Sequence, residues 1–302
     1  MTTWRLKGVF ASLVTPVDED GHVLQDVLAE LTGFLIDRKV NGLCIGDFWS
    51  EYPNFGMEDR KLIISVVTDA ARGRVPILST ISAGTMTQTM ALACHSAEAG
   101  CAALLVGTPH FYAYEQRDLE TFFRKIFSSV NLPCLLYGLP AHTNPIEIDT
   151  LQRLLLTATN LIGFKDASGE TKYLPRLAMA REQSDFSLLV GDDRLDYTAL
   201  TAGWDGAVSG AACLCPELVV KLYERFRAGD RHQAEQSQVI LDELLLELAK
   251  FPQPWGLRIG LGVRGIPTGP LPLPLSLPRK QQVTQFRDWL AGWLERHRDI
   301  FS

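Results

Sequence analysis

The sequence lacks the features that mark membrane-bound, secreted and nucleic-acid-binding proteins. None of its apolar runs has transmembrane length, and residues 1–7 contain no apolar signal-peptide core. No run of basic residues stands out, and the formal net charge is -6. An acidic chain of this kind is a poor partner for nucleic acid or an anionic membrane surface. We therefore predict a cytoplasmic protein that binds neither.

Cysteine is scarce and scattered. The six cysteines lie mostly in apolar strand-like or helical runs: Cys44, Cys94, Cys101, Cys134, Cys213 and Cys215. This placement is typical of reduced, buried thiols in a cytosolic protein. Cys213 and Cys215 are close together, but no second pair of Cys or His residues is suitably placed nearby. The sequence therefore predicts no metal site.

Short apolar runs alternate with amphipathic helical segments over most of the chain. The runs predicted as strands are 9–17, 42–46, 76–80, 102–108, 134–139, 161–165, 187–191 and 206–209. The predicted helices between and after them are 26–38, 57–71, 85–98, 115–128, 146–155, 171–182, 195–201 and 216–226. The strands are apolar throughout rather than alternating, which is typical of parallel strands covered by helices.

Eight such units in residues 1–229 predict an α/β fold, a (β/α)8 TIM barrel. A doubly wound open sheet is the alternative, because alternation alone does not show closure. Residues 230–302 are predicted as a C-terminal helical appendage, with a Pro/Gly-rich stretch at 252–278 and a last helix at 281–297. The GLGVRG run at 260–265 spells the dinucleotide fingerprint, but no strand precedes it, and we attribute the match to chance.

Lys165 stands at the end of an apolar strand, directly before a turn. An unpaired lysine there is costly, because desolvation disfavours its charged form. Burial lowers the pKa of such a lysine, and a partly neutral amine is a nucleophile for carbonyl carbons. The alternative is that the strand has already ended and Lys165 points into water.

Tyr137 ends the preceding strand, so its side chain is predicted to face Lys165 across the barrel mouth, where barrel enzymes place their catalytic groups. A phenol can shuttle protons for an amine that forms and breaks a carbinolamine. The alternative is an interior aromatic whose hydroxyl caps a strand end.

These residues lie in motifs that resemble the dihydrodipicolinate synthase / N-acetylneuraminate lyase family of class I, Schiff-base-forming aldolases. GFKDASG at 163–169 is similar to G-[IF]-K-[DE]-[AS]-[ST]-G, and YGLP at 137–140 is similar to Y-N-[VI]-P. The similarity spans nearly the whole chain. It implies a (β/α)8 barrel, Lys165 as the Schiff-base lysine, Tyr137 as the proton-shuttling hydroxyl, no cofactor, and a homo-oligomer (dimer or tetramer).

The loop after the second strand departs from the family. Where the family usually has GTTGE or GSTGE, whose hydroxyls and amides hold a keto-acid carboxylate, this chain has the longer GDFWSE at 46–51. Ser50 is the only hydroxyl left. Asp47 would repel a carboxylate if it faced the pocket, and Phe48 and Trp49 would add apolar bulk. Alternatively, Asp47 caps the loop from outside and Ser50 takes over the role.

Two further departures argue against a true 4-hydroxy-tetrahydrodipicolinate synthase. The synthases resemble T-P-Y-Y, whereas this chain has TPHF at 108–111, so Phe111 lacks the hydroxyl of a proton relay. His142 stands where the synthases carry an arginine that grips the carboxylate of the aldehyde substrate. A neutral histidine is a much poorer clamp than a bidentate guanidinium.

The predicted site consists of Lys165 and Tyr137 as catalytic residues and a set of substrate-binding candidates: Ser50, Asp47, Phe48, His110, His142, Gly191 and Val208. The predicted activity is that of a metal-independent class I lyase or aldolase, acting on an aldehyde and pyruvate or another 2-oxo acid. A sugar-acid dehydratase on the same Schiff base and a non-catalytic paralogue are the alternatives.

Overall fold

A closed barrel of eight parallel strands lies at the centre of the computed structural model, which describes residues 5–181 and 185–301. The strands are β1 (Gly8–Ser12), β2 (Gly42–Ile45), β3 (Ile77–Thr80), β4 (Ala103–Gly107), β5 (Cys134–Gly138), β6 (Leu161–Asp166), β7 (Ser187–Val190) and β8 (Gly206–Ser209). Each strand pairs in parallel with the next, and β8 pairs with β1. This closure confirms the (β/α)8 prediction and rules out the open sheet.

Helices alternate with the strands around the outside of the barrel and continue after it. They are α1 (Gln25–Asp37), α2 (Met57–Ala71), α3 (Met86–Glu98), α4 (Gln116–Phe127), α5 (Ile148–Thr157), α6 (Tyr173–Ala180), α7 (Asp196–Thr201), α8 (Ala211–Leu214), α9 (Pro216–Arg227), α10 (Arg231–Leu248), α11 (Trp255–Val263), α12 (Leu277–Arg296) and α13 (Arg298–Phe301). Two short 3-10 helices span Tyr52–Asn54 and Asp193–Leu195. In the described parts, no helix combines the length and apolarity that a membrane span needs.

Two predicted segments fall partly outside the described residues. The predicted helix 171–182 ends at Glu182, and the N-terminal segment 1–7 includes residues 1–4; both of these positions lie outside them. The described helix in the first of these regions is α6.

Side chains alternate between two apolar layers, which explains why the strands are apolar throughout. Along β5, Leu135 and Tyr137 point into the barrel, whereas Cys134 and Leu136 pack against the outer helices. On β6, Phe164 belongs to the outer layer. Because neighbouring side chains on a strand point to opposite faces, Lys165 points inward.

The C-terminal helices pack onto the barrel and contribute to its mouth. Helix α10 packs against α9, and α11 packs against α8 and α12. The stretch 252–278, which the sequence marked only as Pro/Gly-rich, contains α11, and both Gly260 and Gly262 lie inside this helix. Three glycines inside α11 and the two prolines before it, Pro252 and Pro254, explain why the sequence pattern did not predict a helix here.

Candidate active site

The neighbouring strands β5 and β6 place the two predicted catalytic side chains side by side. Tyr137 and Lys165 are register partners in this strand pair, and both are buried. The Nζ atom of Lys165 lies 4.2 Å from the centroid of the Tyr137 ring. Burial raises the pKa of Tyr137 above its ordinary value, so the phenol holds its proton at neutral pH.

Lys165 forms a buried ion pair with Asp47. Its Nζ donates to Oδ2 of Asp47 at 2.8 Å, and both residues are fully buried. The expectation of an unpaired lysine with a lowered pKa is therefore wrong. Burial alone would lower the pKa of Lys165, but the Asp47 carboxylate, with smaller contributions from Tyr137 and Cys44, outweighs it and raises the pKa above its ordinary value. Lys165 is consequently an ammonium ion in the resting site.

The second carboxylate oxygen of Asp47 is held by its own loop and by β1. Oδ1 accepts hydrogen bonds from the Ser12 hydroxyl at 2.5 Å, from the Trp49 amide at 3.1 Å and from the Ser50 amide at 3.3 Å. Asp47 therefore caps its own loop, but it does so while pointing inward, so the alternative of an outward-pointing cap is wrong. The geometry fixes its carboxylate beside the amine.

Ser50 has a structural position in this loop. Its hydroxyl donates to the backbone carbonyl of Leu13 at 2.6 Å and accepts from the amide of Gly46 at 3.0 Å. The side chain is buried, and Thr15 donates to the Ser50 carbonyl at 3.1 Å. The Ser50 hydroxyl therefore already donates and accepts a hydrogen bond within the protein.

A cavity of about 320 Å³ lies at the C-terminal end of the strands. Lys165 and Asp47 are not among its lining residues, but Tyr137 and Gly191, which both lie against Lys165, line it. Of the substrate-binding candidates, Phe48, His142 and Gly191 line it, as does Tyr137. The rings of Phe48 and His142 are stacked with their centroids 4.7 Å apart. Trp49 meets Phe48 edge to face and also lines the cavity, so its wall on this side is aromatic.

The Trp49 ring lies against Gly210, directly after β8, where only glycine leaves enough room for it. A Cβ atom at Gly210 would stand 2.4 Å from an atom of that indole. Gly191 makes room in the same way for Lys165, because a Cβ there would stand 2.9 Å from the lysine Cε. These two close approaches let the bulky loop and the lysine share one barrel mouth.

The remaining candidates are not part of the cavity wall as the described residues form it. Asp47 and Ser50 lie buried in the loop after β2 (residues 46–51, the strand-2 loop), and Val208 is buried inside the barrel. His110 lies beside Tyr52, with its Nδ1 3.5 Å from the phenol oxygen, and forms a bridge with Thr143. The structure thus brings Asp47 to Lys165 but leaves His110 and Val208 away from the cavity surface.

Some residues that line the cavity are absent from the sequence-based set. Asp193 and Arg194 follow β7; burial raises the pKa of Asp193 to about 6, and Arg194 is paired with Asp192. The C-terminal part adds Leu245, Leu248 and Leu257 from α10 and α11. The run after β7 was a detectable strand-end signal, whereas the three leucines are placed by tertiary packing that no local pattern specifies.

Comparisons with known proteins agree on one family. The model of the dihydrodipicolinate synthetase family matches residues 5–291. An uncharacterized DapA-like lyase of Halobacterium salinarum is 32% identical over 271 residues, covering 89% of this chain and 88% of the relative. The 4-hydroxy-tetrahydrodipicolinate synthase of Methanothrix thermoacetophila is 27% identical over 286 residues, covering 94% and 96%.

A solved structure supports the same assignment. The E. coli K12 prophage protein YagE of the dihydrodipicolinic acid synthase family, in complex with pyruvate, superposes with a TM-score of 0.88 at 26% identity. The match covers 94% of this chain and 98% of that one. This chain therefore belongs to the dihydrodipicolinate synthase family.

Proposed function

We propose that this protein is a carbon–carbon lyase or aldolase that forms a Schiff base between Lys165 and the carbonyl group of its substrate. Membership in a family of class I aldolase-type lyases supports the lyase activity. The observation that carries the proposal is that Lys165 contacts both the Asp47 carboxylate and the ring of Tyr137, and Tyr137 lines a cavity at the strand ends. An amine with a carboxylate proton acceptor and a phenol beside it has the groups that imine chemistry needs.

The mechanism follows from these neighbours. Asp47 takes a proton from the Lys165 ammonium, and the freed lone pair attacks the carbonyl carbon. Tyr137, which holds its proton at neutral pH, serves as the proton shuttle to and from the carbonyl oxygen. The resulting iminium is an electron sink, so a neighbouring C–C bond can form or break, and the proposed reaction uses neither metal nor cofactor.

The family favours pyruvate or another 2-oxo acid as the carbonyl substrate, with an aldehyde as the second partner. The pyruvate complex of YagE supports this class for a relative. A sugar-acid dehydratase would use the same Schiff base and differs in its products. We also propose that the protein is cytoplasmic and forms a homo-oligomer, either a dimer or a tetramer. Light scattering on the purified protein tests the oligomeric state.

Imine trapping tests the proposal. The protein is incubated with a panel of 2-oxo acids, aldehydes and ketones, reduced with borohydride, and examined by intact mass and peptide mapping. We expect an adduct on Lys165 that Lys165→Ala abolishes. Lys172→Ala is the matched control, because Lys172 is an exposed lysine close in sequence, paired with Glu170, and its loss should leave the adduct unchanged.

Two outcomes of this experiment contradict the proposal. One is an adduct on a different lysine, and the other is the absence of an adduct with every compound of the panel, which would support the non-catalytic alternative. Analysis of released products then separates an aldolase, which yields two carbonyl fragments, from a dehydratase.

A further inference from the structure

The carboxylate of Asp47 is the point on which the polar groups around the nucleophile converge. It receives the Lys165 ammonium on one oxygen, and the Ser12 hydroxyl and the amides of Trp49 and Ser50 on the other. An ammonium, a hydroxyl and two backbone amides are the kind of donors that bind a ligand carboxylate. Here the protein supplies that carboxylate itself.

A substrate carboxylate next to the reacting carbonyl would compete with Asp47. In the imine of a 2-oxo acid, the carboxylate carbon is only two covalent bonds from Nζ, and Oδ2 of Asp47 lies 2.8 Å from the same nitrogen. Two negative groups would then share one positive charge in a buried site, where like-charge repulsion is screened little by water.

The surroundings offer a second carboxylate little compensation. Phe48 and Trp49, which follow Asp47 in the chain, present rings to the cavity, and burial of an ion against apolar groups is costly. The guanidinium of Arg194, which also lines the cavity, is already hydrogen-bonded to Asp192 through Nε and Nη2.

We propose that Asp47 is a resident counter-ion in the place of a substrate carboxylate, so that the site selects aldehydes and ketones whose carbonyl carbon bears no ionised carboxylate. This inference rests on the proposed Schiff base at Lys165. It changes the substrate class expected for that same site, because it ranks a 2-oxo acid, which the family favours, below its uncharged counterparts.

The reaction balances with Asp47 as the proton carrier. Asp47 removes one proton from the Lys165 ammonium, and the nitrogen lone pair forms the C–N bond while the C=O electron pair moves to oxygen. One proton passes from nitrogen through Tyr137 to that oxygen, and the proton held by Asp47 is delivered to the hydroxyl, which leaves as water when the C=N bond forms. The ammonium is converted into an iminium, and Asp47, which has given up its proton, is again a carboxylate paired with that cation.

The experiment compares pyruvate with pyruvamide, which is nearly the same shape but carries no charge. Rates of adduct formation on Lys165 are measured by intact mass with cyanoborohydride, and each is divided by the rate of the same compound with a simple alkyl amine to remove intrinsic reactivity. We expect the normalised rate of the native protein to be at least about tenfold higher for pyruvamide. Asp47→Asn should shift the ratio towards pyruvate by about tenfold or more.

Asp196→Asn is the matched control, because Asp196 is a buried carboxylate outside the wall of this cavity, and it should leave the ratio unchanged. Equal or faster normalised reaction of the native protein with pyruvate overturns the inference, and this arm needs no variant to fold. An unchanged ratio in folded Asp47→Asn also overturns it. No adduct with either compound, or with any of the panel, contradicts the proposed Schiff base instead.

Discussion

At the residue scale, the buried acids of this barrel fall into two kinds. Asp47 is paired with a lysine and also accepts hydrogen bonds from Ser12, Trp49 and Ser50. Asp196 is buried as well, but neither of its carboxylate oxygens has a hydrogen-bond partner among the described residues. An ionised carboxyl is costly in such surroundings unless it is paired, so the two acids affect stability in opposite ways.

Asp196 makes the fold less stable as the pH rises. Burial, with repulsion from Asp193, Asp192 and Asp242, raises the pKa of Asp196 well above its ordinary value. The folded state therefore holds this proton more tightly than the unfolded state, and the stabilisation is complete at low pH and lost as the pH rises above the unfolded pKa.

We expect Asp196→Asn to increase the free energy of unfolding by about 1–3 kcal/mol near pH 8 and to change it much less near pH 4, because the amide never carries the charge that is costly to bury at this position. Thermal unfolding at both pH values measures the difference. Asp205→Asn is the control, since Asp205 is a buried acid whose carboxylate accepts hydrogen bonds from Arg5 and from the Leu188 amide, so no gain in stability is expected there. A gain in the free energy of unfolding that is larger at the acidic pH would contradict a raised pKa of Asp196.

The sequence indicates Lys165 and Tyr137 because each ends an apolar run next to a turn, and alternation along a strand then points both inward. The partner of Lys165 could not be predicted in the same way. Asp47 lies 118 positions away in a loop that departs from the family pattern. The direction of its side chain depends on hydrogen bonds from the Trp49 and Ser50 amides of its own loop and from the Ser12 hydroxyl, which the pairing of β1 with β2 places beside this loop.

At the scale of elements, the strand-2 loop is connected to the C-terminal helices by a second buried ion pair. Glu51, at the end of this loop, has a left-handed backbone conformation and pairs with Arg258 of α11 at 3.2 Å. Arg258 also donates to the backbone carbonyls of Thr268 and Pro270. One guanidinium thus joins the loop that carries Asp47, helix α11 and the segment after it.

Arg258→Ala should destabilise the protein by about 3–5 kcal/mol, because it leaves the Glu51 carboxylate buried without a partner. Urea denaturation measures the loss. The double variant Glu51→Gln with Arg258→Met is the matched comparison, and we expect it to lose less than Arg258→Ala because no unpaired charge remains. A double variant that is less stable than Arg258→Ala would argue against this explanation.

Strand and helix positions were predictable to different degrees. The apolar strands and the helix 57–71 follow from local pattern, since each strand is buried on both faces and each outer helix on one. Strand β1 is shorter than the predicted run 9–17, because Leu13 and Val14 are buried in the loop that supports Ser50. An apolar run in the sequence indicates that its residues are buried. Buried loop residues that follow a strand therefore extend the apolar run, and the predicted strand becomes too long.

At the scale of the whole molecule, the barrel carries Lys165 and Tyr137, and the C-terminal helices supply part of the cavity wall. Leu245 and Leu248 of α10 and Leu257 of α11 face the same cavity as Phe48 and His142. The wall of this cavity is therefore largely apolar on two sides. This arrangement is unlike a site built to grip an aldehyde that carries its own carboxylate, for which paired cationic donors are the usual solution.

The whole cavity leads to a prediction about the pathway: turnover of pyruvate with aspartate semialdehyde should be far below that of a true synthase. His142 stacks on Phe48 at the position of the arginine that the synthases carry, and Phe111 has no hydroxyl. Loss of one preorganised charged contact costs about 2–4 kcal/mol in the transition state, which corresponds to roughly 30- to 1,000-fold in rate.

A coupled assay measures the turnover of this protein relative to that of a known synthase, and retained imine trapping on Lys165 shows that the preparation is active. Rescue of a lysine auxotroph at normal expression would contradict the prediction, since it would mean that His142 and the apolar wall still hold the semialdehyde carboxylate.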